Sequence, residues 1–172
     1  ERGVDGFSLR ETARRAGVSP AAPGHHFGDA RGLLTAVATA AFRDFGDALA
    51  AADHGPDLAA RIRAQGIAYV RFALAQPAKF DLMWRCALID REDAELARAS
   101  DRAFSILDSA VRGDRPSGNG AADPALSPSI ACWSLVHGFA RLAIDGVFGS
   151  APGDAERAVE TLLPRVLEHL EV

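Results

Sequence analysis

Across 172 residues there is one lysine (Lys79), one tyrosine (Tyr69), one methionine (Met83) and only two cysteines, Cys86 and Cys132. Two isolated thiols at this separation match no metal-ligand spacing and build no disulfide scaffold. Both read as small buried apolar residues. No run approaches the ~20 consecutive apolar residues that a membrane-crossing helix requires. No charged segment followed by an apolar stretch reads as a secretory signal, so a cytoplasmic location is expected. Period-two alternation and hairpin turn dipeptides are absent, which argues against a sheet. The sequence has no phosphate-cradling Gly loop, no Ser/His/Asp or Cys/His arrangement and no close carboxylate pair in an apolar setting. No catalytic residue, metal or cofactor is therefore expected. A net charge of −4 and a pI near 5.7 exclude a protein coated in nucleic acid, but not local binding.

What remains is almost entirely helical periodicity. Ser8 is followed three residues later by Glu11, a capping-box spacing, and Leu9, Ala13 and Ala16 then recur on one helical face. Gly17 suits the left-handed end of that helix. Ser19 and Pro20 read as the cap and first residue of a second helix, extending to His26. Two short helices around a tight Gly turn form a helix-turn-helix pattern, the usual means of presenting one helix to a DNA groove. Residues 1–31 carry five arginines against four carboxylates, a net +1 against −5 for the rest, so phosphate would be met here. Such a pair needs a third helix across its back to bury Leu9 and Val18. Glu1-Arg2-Gly3 reads as the tail of that helix, and the expectation is that most of it lies upstream of Glu1.

These residues resemble the DNA-binding domain of the TetR family of bacterial transcription regulators. The matching elements are Gly3 and Gly6, Ser8-Leu9-Arg10, Ala13, Ala16-Gly17-Val18-Ser19, His26-Phe27, Asp29 and Leu33-Leu34. The resemblance implies a homodimeric regulator, more often a repressor, that binds a palindromic double-stranded operator and responds to a small molecule. It places Ser19, Pro20, Ala21, Ala22, Gly24 and His25 at or near the major groove, with Ser8, Arg10 and Arg31 near the DNA backbone. Two departures stand out. Gly24 occupies the place of a tyrosine, and Ala30 that of a lysine, both of which touch phosphate in the family. Arg31 is the candidate replacement for the lysine. A relative with weak DNA binding, acting as a ligand-binding or protein-interaction module, is the alternative reading.

Further along, Asp29 caps a long helix with Leu33, Leu34, Val37, Ala41, Phe42, Phe45 and Leu49 as its apolar stripe, ending near Asp53. Pro56 opens the next, with Leu58, Ile62, Tyr69 and Phe72 on one face. Pro77 starts another, followed by Phe80, Met83, Trp84, Ala87 and Leu88. A fourth runs from about Asp93 to Arg112 with Leu96, Ala103, Phe104, Leu107 and Val111 inward. Gly113 to Pro124 lacks large apolar residues and reads as loop or disorder. Ser127 and Pro128 then start a helix, apolar nearly all round, to about Gly149. Asp154 begins the last, with Val159, Leu162, Leu163, Val166, Leu167 and Leu170. The expected fold is all-α: a helix-turn-helix domain over 1–48 and a ligand-binding and dimerisation bundle over 49–172.

Trp133-x-x-x-His137-Gly138 resembles a W-H-G motif in the C-terminal domain of one large branch of the same family. Most large aromatic residues lie in the middle of the chain. Tyr69, Phe72, Phe80, Met83, Trp84, Leu88, Phe104, Leu107, Trp133 and His137 are candidates for the wall of a mostly apolar effector pocket. The same set also reads as plain hydrophobic core, and His137 as a core histidine held by one hydrogen bond. A helix apolar on every side must be covered on every side. Val136, Phe139 and Val147, with Val159, Leu162, Leu163, Val166, Leu167 and Leu170, are therefore candidates for a four-helix dimer interface, matching the family's use of its last two helices. His25 and His26 are adjacent, about 100° apart on a helix, and cannot chelate one metal in helical geometry.

Overall fold

The computed structural model describes residues 7–113 and 123–170, and among these every regular element is helical. Most of the Gly113–Pro124 segment, and the residues before Phe7, lie outside the described residues. Nine α-helices follow in order: α1 (Leu9–Arg15), α2 (Ala22–Phe27), α3 (Ala30–Ala51), α4 (Leu58–Ala75), α5 (Pro77–Trp84), α6 (Ala94–Arg112), α7 (Ser127–Ile144), α8 (Asp154–Thr161) and α9 (Leu163–Leu167).

Several helix starts follow one rule. A short polar side chain in extended backbone accepts a hydrogen bond from an otherwise unpaired N–H of the first turn. Ser8 Oγ accepts from Glu11 N at 3.4 Å, Asp29 Oδ1 from Gly32 N at 2.8 Å and Asp57 Oδ1 from Ala60 N at 2.8 Å. Asp93 Oδ1 serves both Glu95 N and Leu96 N. The cap of α4 is thus Asp57 rather than Pro56. The reciprocal half of the capping box at α1 is replaced, because the Glu11 carboxylate is held by Arg14 and Arg15. Glycine ends α1 and α7 alike. At α1, Val18 N donates to Ala13 O and Gly17 N to Arg14 O, with Gly17 at φ +68°. At α7, Val147 N reaches Leu142 O and Gly146 N reaches Ala143 O, with Gly146 at φ +76°. These paired bonds close the last turn and need a left-handed residue at its end.

Four boundaries differ from the sequence reading, each for a local reason. The second helix begins at Ala22, not at Ser19. Pro23 has no N–H to give the Ser19 carbonyl, which accepts from Ala22 N instead, so Ser19–Ala21 form a tighter turn. Helix α5 stops at Trp84, leaving Ala87 and Leu88 outside it, because the chain turns to bury Ile89. Helix α7 stops at Ile144 rather than Gly149, closed by Gly146, and Ser127 is its first residue after a 3-10 turn over Pro124–Leu126. The final helix is two pieces. Pro164 cannot donate to the Glu160 carbonyl, and its ring crowds that turn, so the helix breaks at Leu162.

The core is one large cluster, in which Phe42, Phe45 and Leu49 of α3 meet Tyr69 and Phe72 of α4, Phe80 and Met83 of α5, and Ala99 and Ala103 of α6. Val136 and Phe139 of α7, Val159 of α8, and Leu163 and Leu167 of α9 close it from the other side. Helices α3 and α6 approach closely at Gly46, where an added Cβ would stand 3.1 Å from Arg102 Nη1. Helix α6 is tied to α7 by buried Asp108, which accepts from Ser129 Oγ at 2.7 Å and pairs with Arg112. Burial pushes the Asp108 carboxyl up, but Arg112 and Ser129 outweigh it and hold it below its ordinary value.

Candidate functional site

Helices α1 and α2 stand at one end of α3 with much of their surface exposed. Ser8, Arg10, Ser19, Pro20, Ala21, His25 and Arg31 are exposed, whereas Ala22 and Gly24 are half-buried. Pro23, buried, seats α2 against the rest. The Ser8 hydroxyl is already the α1 cap acceptor but keeps its own hydrogen free to donate. Rings of His25 and His26 meet edge-on at 5.6 Å, and His26 lies beside Phe27 at 6.3 Å. Val18 and Phe27 are 47% and 41% exposed, whereas Ala13 of α1 is fully buried. Helix α3 leaves α2 through a backbone contact. A Cβ at Gly32 would lie 2.0 Å from the Phe27 carbonyl oxygen, so no side chain can stand there.

Arg31 is oriented differently from the phosphate role read from sequence. Its guanidinium donates to Ile89 O at 3.1 Å and lies 3.6 Å from the Asp90 carboxylate. One turn on, Thr35 Oγ1 accepts from Asp90 N at 2.8 Å while donating to Arg31 O. The loop 85–93 is thus fastened to the first two turns of α3.

The other side of that loop borders a cavity of about 330 Å³ between α3, α4, α5, α6 and α7. Of the ten candidate pocket residues, Tyr69, Met83, Trp84, Phe104, Leu107 and Trp133 line it. Phe72, Phe80, Leu88 and His137 do not. Phe72 and Phe80 are core beneath it, Leu88 packs on the core from the α5–α6 loop, and His137 stands behind the wall. The sequence reading missed three contributions. Phe42, Phe45 and Leu49 come from α3, Cys86, Ile89 and Arg91 from the loop, and Leu96, Ala97, Ser100, Asp101 and Ala103 from α6. One signal could have exposed the last group. Ala97, Ser100 and Ala103 recur at helical spacing, and small residues facing aromatic rings leave space.

One wall of the cavity is a hydrogen-bonded aromatic set. Trp133 Nε1 donates to the Tyr69 hydroxyl at 3.1 Å, and the same oxygen lies 2.9 Å from His137 Nδ1. An indole can only donate, and among the described residues His137 Nδ1 is the one acceptor within reach of the buried Tyr69 O–H, so the hydroxyl donates there, Nδ1 accepts and Nε2 carries the ring hydrogen. His137 is therefore neutral in this arrangement. Consistently, burial and then the nearby Arg141 charge hold its pKa below the ordinary histidine value. Burial pushes the Tyr69 phenol well above its usual value, so it stays protonated. Trp84 packs edge-on to His137 at 5.1 Å and to Phe42 at 5.6 Å, and its own indole N–H is buried without a partner. Phe104 and Trp133 lie 5.4 Å apart, and Trp84 and Trp133 5.5 Å. No group of three or more potential metal ligands occurs among the described residues. No helix there is long and apolar enough to cross a membrane.

Of the candidate dimer residues, Val136, Phe139, Val159, Leu163 and Leu167 are buried within the single chain and belong to its core. Packing of α8 and α9 onto α4 and α7 covers them, which corrects their assignment to an outer face. Val166 and Leu170 are half-buried, and Val147 and Leu162 are exposed. Sequence reasoning did not single out Ile130 and Leu142 as outward-facing, yet they are 41% and 45% exposed on α7.

Residues 62–166, more than half the chain, match the family described as tetracyclin repressor-like, C-terminal domain. A structure of a protein of unknown function from Rhodococcus sp. RHA1 is similar at TM-score 0.74 and 31% identity, over 97% of this chain and 86% of that one. The TetR family transcriptional regulator PfmR from Thermus thermophilus shares the fold at TM-score 0.68 and 20% identity, over 98% of this chain and 91% of that one. No curated protein matches the chain. With a helix-turn-helix pair at one end of α3, an aromatic cavity along its length and a C-terminal match of this extent, the chain belongs to the TetR family of transcription regulators.

Proposed function

We propose that the chain is a homodimeric, ligand-responsive transcription regulator, acting as a repressor in the cytoplasm, with α2 entering the major groove of a palindromic operator. Residues 1–48 form its DNA-binding domain and 49–172 its ligand-binding and dimerisation domain. The exposed face of α2 is small and largely uncharged. Base readout therefore leans on alanine methyl contacts with thymine, backbone groups and DNA shape rather than arginine–guanine pairs. Half-sites would lie roughly 34–36 Å apart, or a multiple of that. The second copy docks on the outward face of α7, where Ile130, Ser134, Gly138 and Leu142 recur every four residues, with Val147 and Leu162 at its margin. Ridges at that spacing pack helix against helix.

The observation that carries the regulatory reading is the loop 85–93. Its Ile89 and Arg91 border the cavity, while Ile89 O and Asp90 hold Arg31 and Thr35 of α3. A molecule in the cavity that displaces the loop thereby acts on the helix that carries α2. It shifts the equilibrium only by its differential affinity for the two arrangements.

Gly24 and Ala30 favour a second reading, in which DNA binding is weak and the chain works as a ligand-binding module. A genome-wide binding profile at two salt concentrations separates the two. Sharp palindromic sites that weaken steeply with salt support the regulator. An absence of enrichment at both concentrations overturns it.

A further inference from the structure

We propose that the cavity takes a flat, two-ring aromatic carboxylate, with its rings among the aromatic side chains and its carboxylate held by Arg91 at the mouth. The inference rests on the cavity being the effector site and specifies what enters it.

Size gives the first argument. A cavity of about 150 Å³ lined by apolar side chains holds one benzene. At about 330 Å³ this one holds roughly twice that, about a dozen non-hydrogen atoms. Shape gives the second. Phe104, Trp133, Trp84 and Phe42 form a chain of tilted and edge-on ring contacts along the cavity, each between 5.4 and 5.6 Å. An inserted aromatic ring extends that chain with offset or edge-to-face contacts, whereas a saturated chain of equal volume gains only burial.

Charge gives the third. Arg91 lines the cavity, is exposed and has no ion-pair or hydrogen-bond partner among the described residues. Of its acidic neighbours, Asp90 is engaged with Arg31 and Asp93 with the first N–H groups of α6, while Glu92 is exposed to solvent and does not line the cavity. A guanidinium presents a planar fork that takes a carboxylate through two parallel bonds. The opposing charge in the cavity wall is Asp101 of α6, since Arg98 one turn before it is paired with Glu95, so the ligand's carboxylate lies on the Arg91 side and away from Asp101.

The test uses the cavity's own reporters. Trp84 and Trp133 are the only two tryptophans, and both line it, so tryptophan fluorescence reads occupancy without DNA. The chain is titrated with 2-naphthoate, 2-naphthylmethylamine and decanoate. The expected order has 2-naphthoate binding about tenfold or more tightly than either of the others. In Arg91→Gln, whose exposed position leaves the fold intact, the preference over the amine should collapse. In Ala97→Phe, which fills the cavity, all three should lose binding. Preferential binding of the amine, of decanoate, or naphthoate affinity unchanged in Arg91→Gln overturns the ligand class. A parallel operator-binding assay separates this from the regulatory reading. Naphthoate that binds but leaves DNA affinity unchanged refutes the effector role alone.

Discussion

Replacing Tyr69 with phenylalanine removes a single oxygen from the centre of the molecule and tests the hydrogen-bonded wall directly. The ring, 1% exposed, keeps its edge-on contacts with Phe45 at 4.9 Å and Phe80 at 5.8 Å, so little packing is lost. Two hydrogen bonds go, from Trp133 Nε1 and to His137 Nδ1. Each such bond contributes about 1 kcal/mol net, and a stranded buried partner adds about 1–3 kcal/mol. Trp133 and His137 are each only half-buried, so water relieves part of the second cost. The expected loss is about 2–3 kcal/mol. Urea unfolding followed by circular dichroism at pH 8 should show a lower midpoint at an unchanged slope. Trp133→Phe made in the Tyr69→Phe background should cost less than in the parent, because the indole N–H is then already stranded. A loss below about 0.5 kcal/mol, or strict additivity of the two substitutions, would refute the assignment of Tyr69 as the shared partner.

Four further outcomes follow from named contacts. Since His137 has a folded pKa below its unfolded one, its contribution to stability is present above about pH 6.5 and lost as pH falls toward the folded value. Melting temperature should therefore drop between pH 7.5 and 5.5, and His137→Gln should flatten that slope; an equally steep variant refutes it. An added Cβ at Gly24 meets nothing within 4 Å, so Gly24→Tyr should be accommodated, tighten operator binding and steepen its salt slope by about one unit, measured by anisotropy. Leu142→Arg should convert a dimer to a folded monomer by light scattering, and a persistent dimer would move the interface elsewhere. Arg31→Gln should leave the salt slope of DNA binding intact while weakening the effect of a cavity ligand on DNA. A slope reduced by about one unit would instead return Arg31 to phosphate.

Much of this architecture is readable from local chemistry. Asp29 and Asp93 announce their helices because a carboxylate in extended backbone has few better uses than the N–H groups that follow. Gly17 likewise announces an end. Pro23 and Pro164 bend the reading where a missing N–H outweighs a continuing apolar stripe, so Ser19 opens a turn and the last helix splits. The cavity is half legible. Large aromatics such as Trp84, Phe104 and Trp133 stand out in a sequence, but an empty space is made as much by what faces them. Ala97, Ser100 and Ala103 recur at helical spacing, but that recurrence marks open space only once α6 is laid on α3. Arg31 shows the same limit: its charge is visible in the sequence, but its partner lies 58 residues away. The outer face is misassigned at Val136 and Leu163 because periodicity marks which residues are apolar, not which neighbour covers them.

Gly32 gives α3 the character of a lever set directly on its load. At 1.5 Å per residue the 22-residue helix is an arm of about 33 Å, so a rotation of only about five degrees at one end carries the other by about 3 Å. Elsewhere in a packed protein such a displacement is taken up by side chains changing rotamer. Between α3 and the Phe27 carbonyl there is no side chain to yield. Motion reaching Gly32 therefore presses backbone on backbone, and even a methyl group at this position would force α3 and the end of α2 apart.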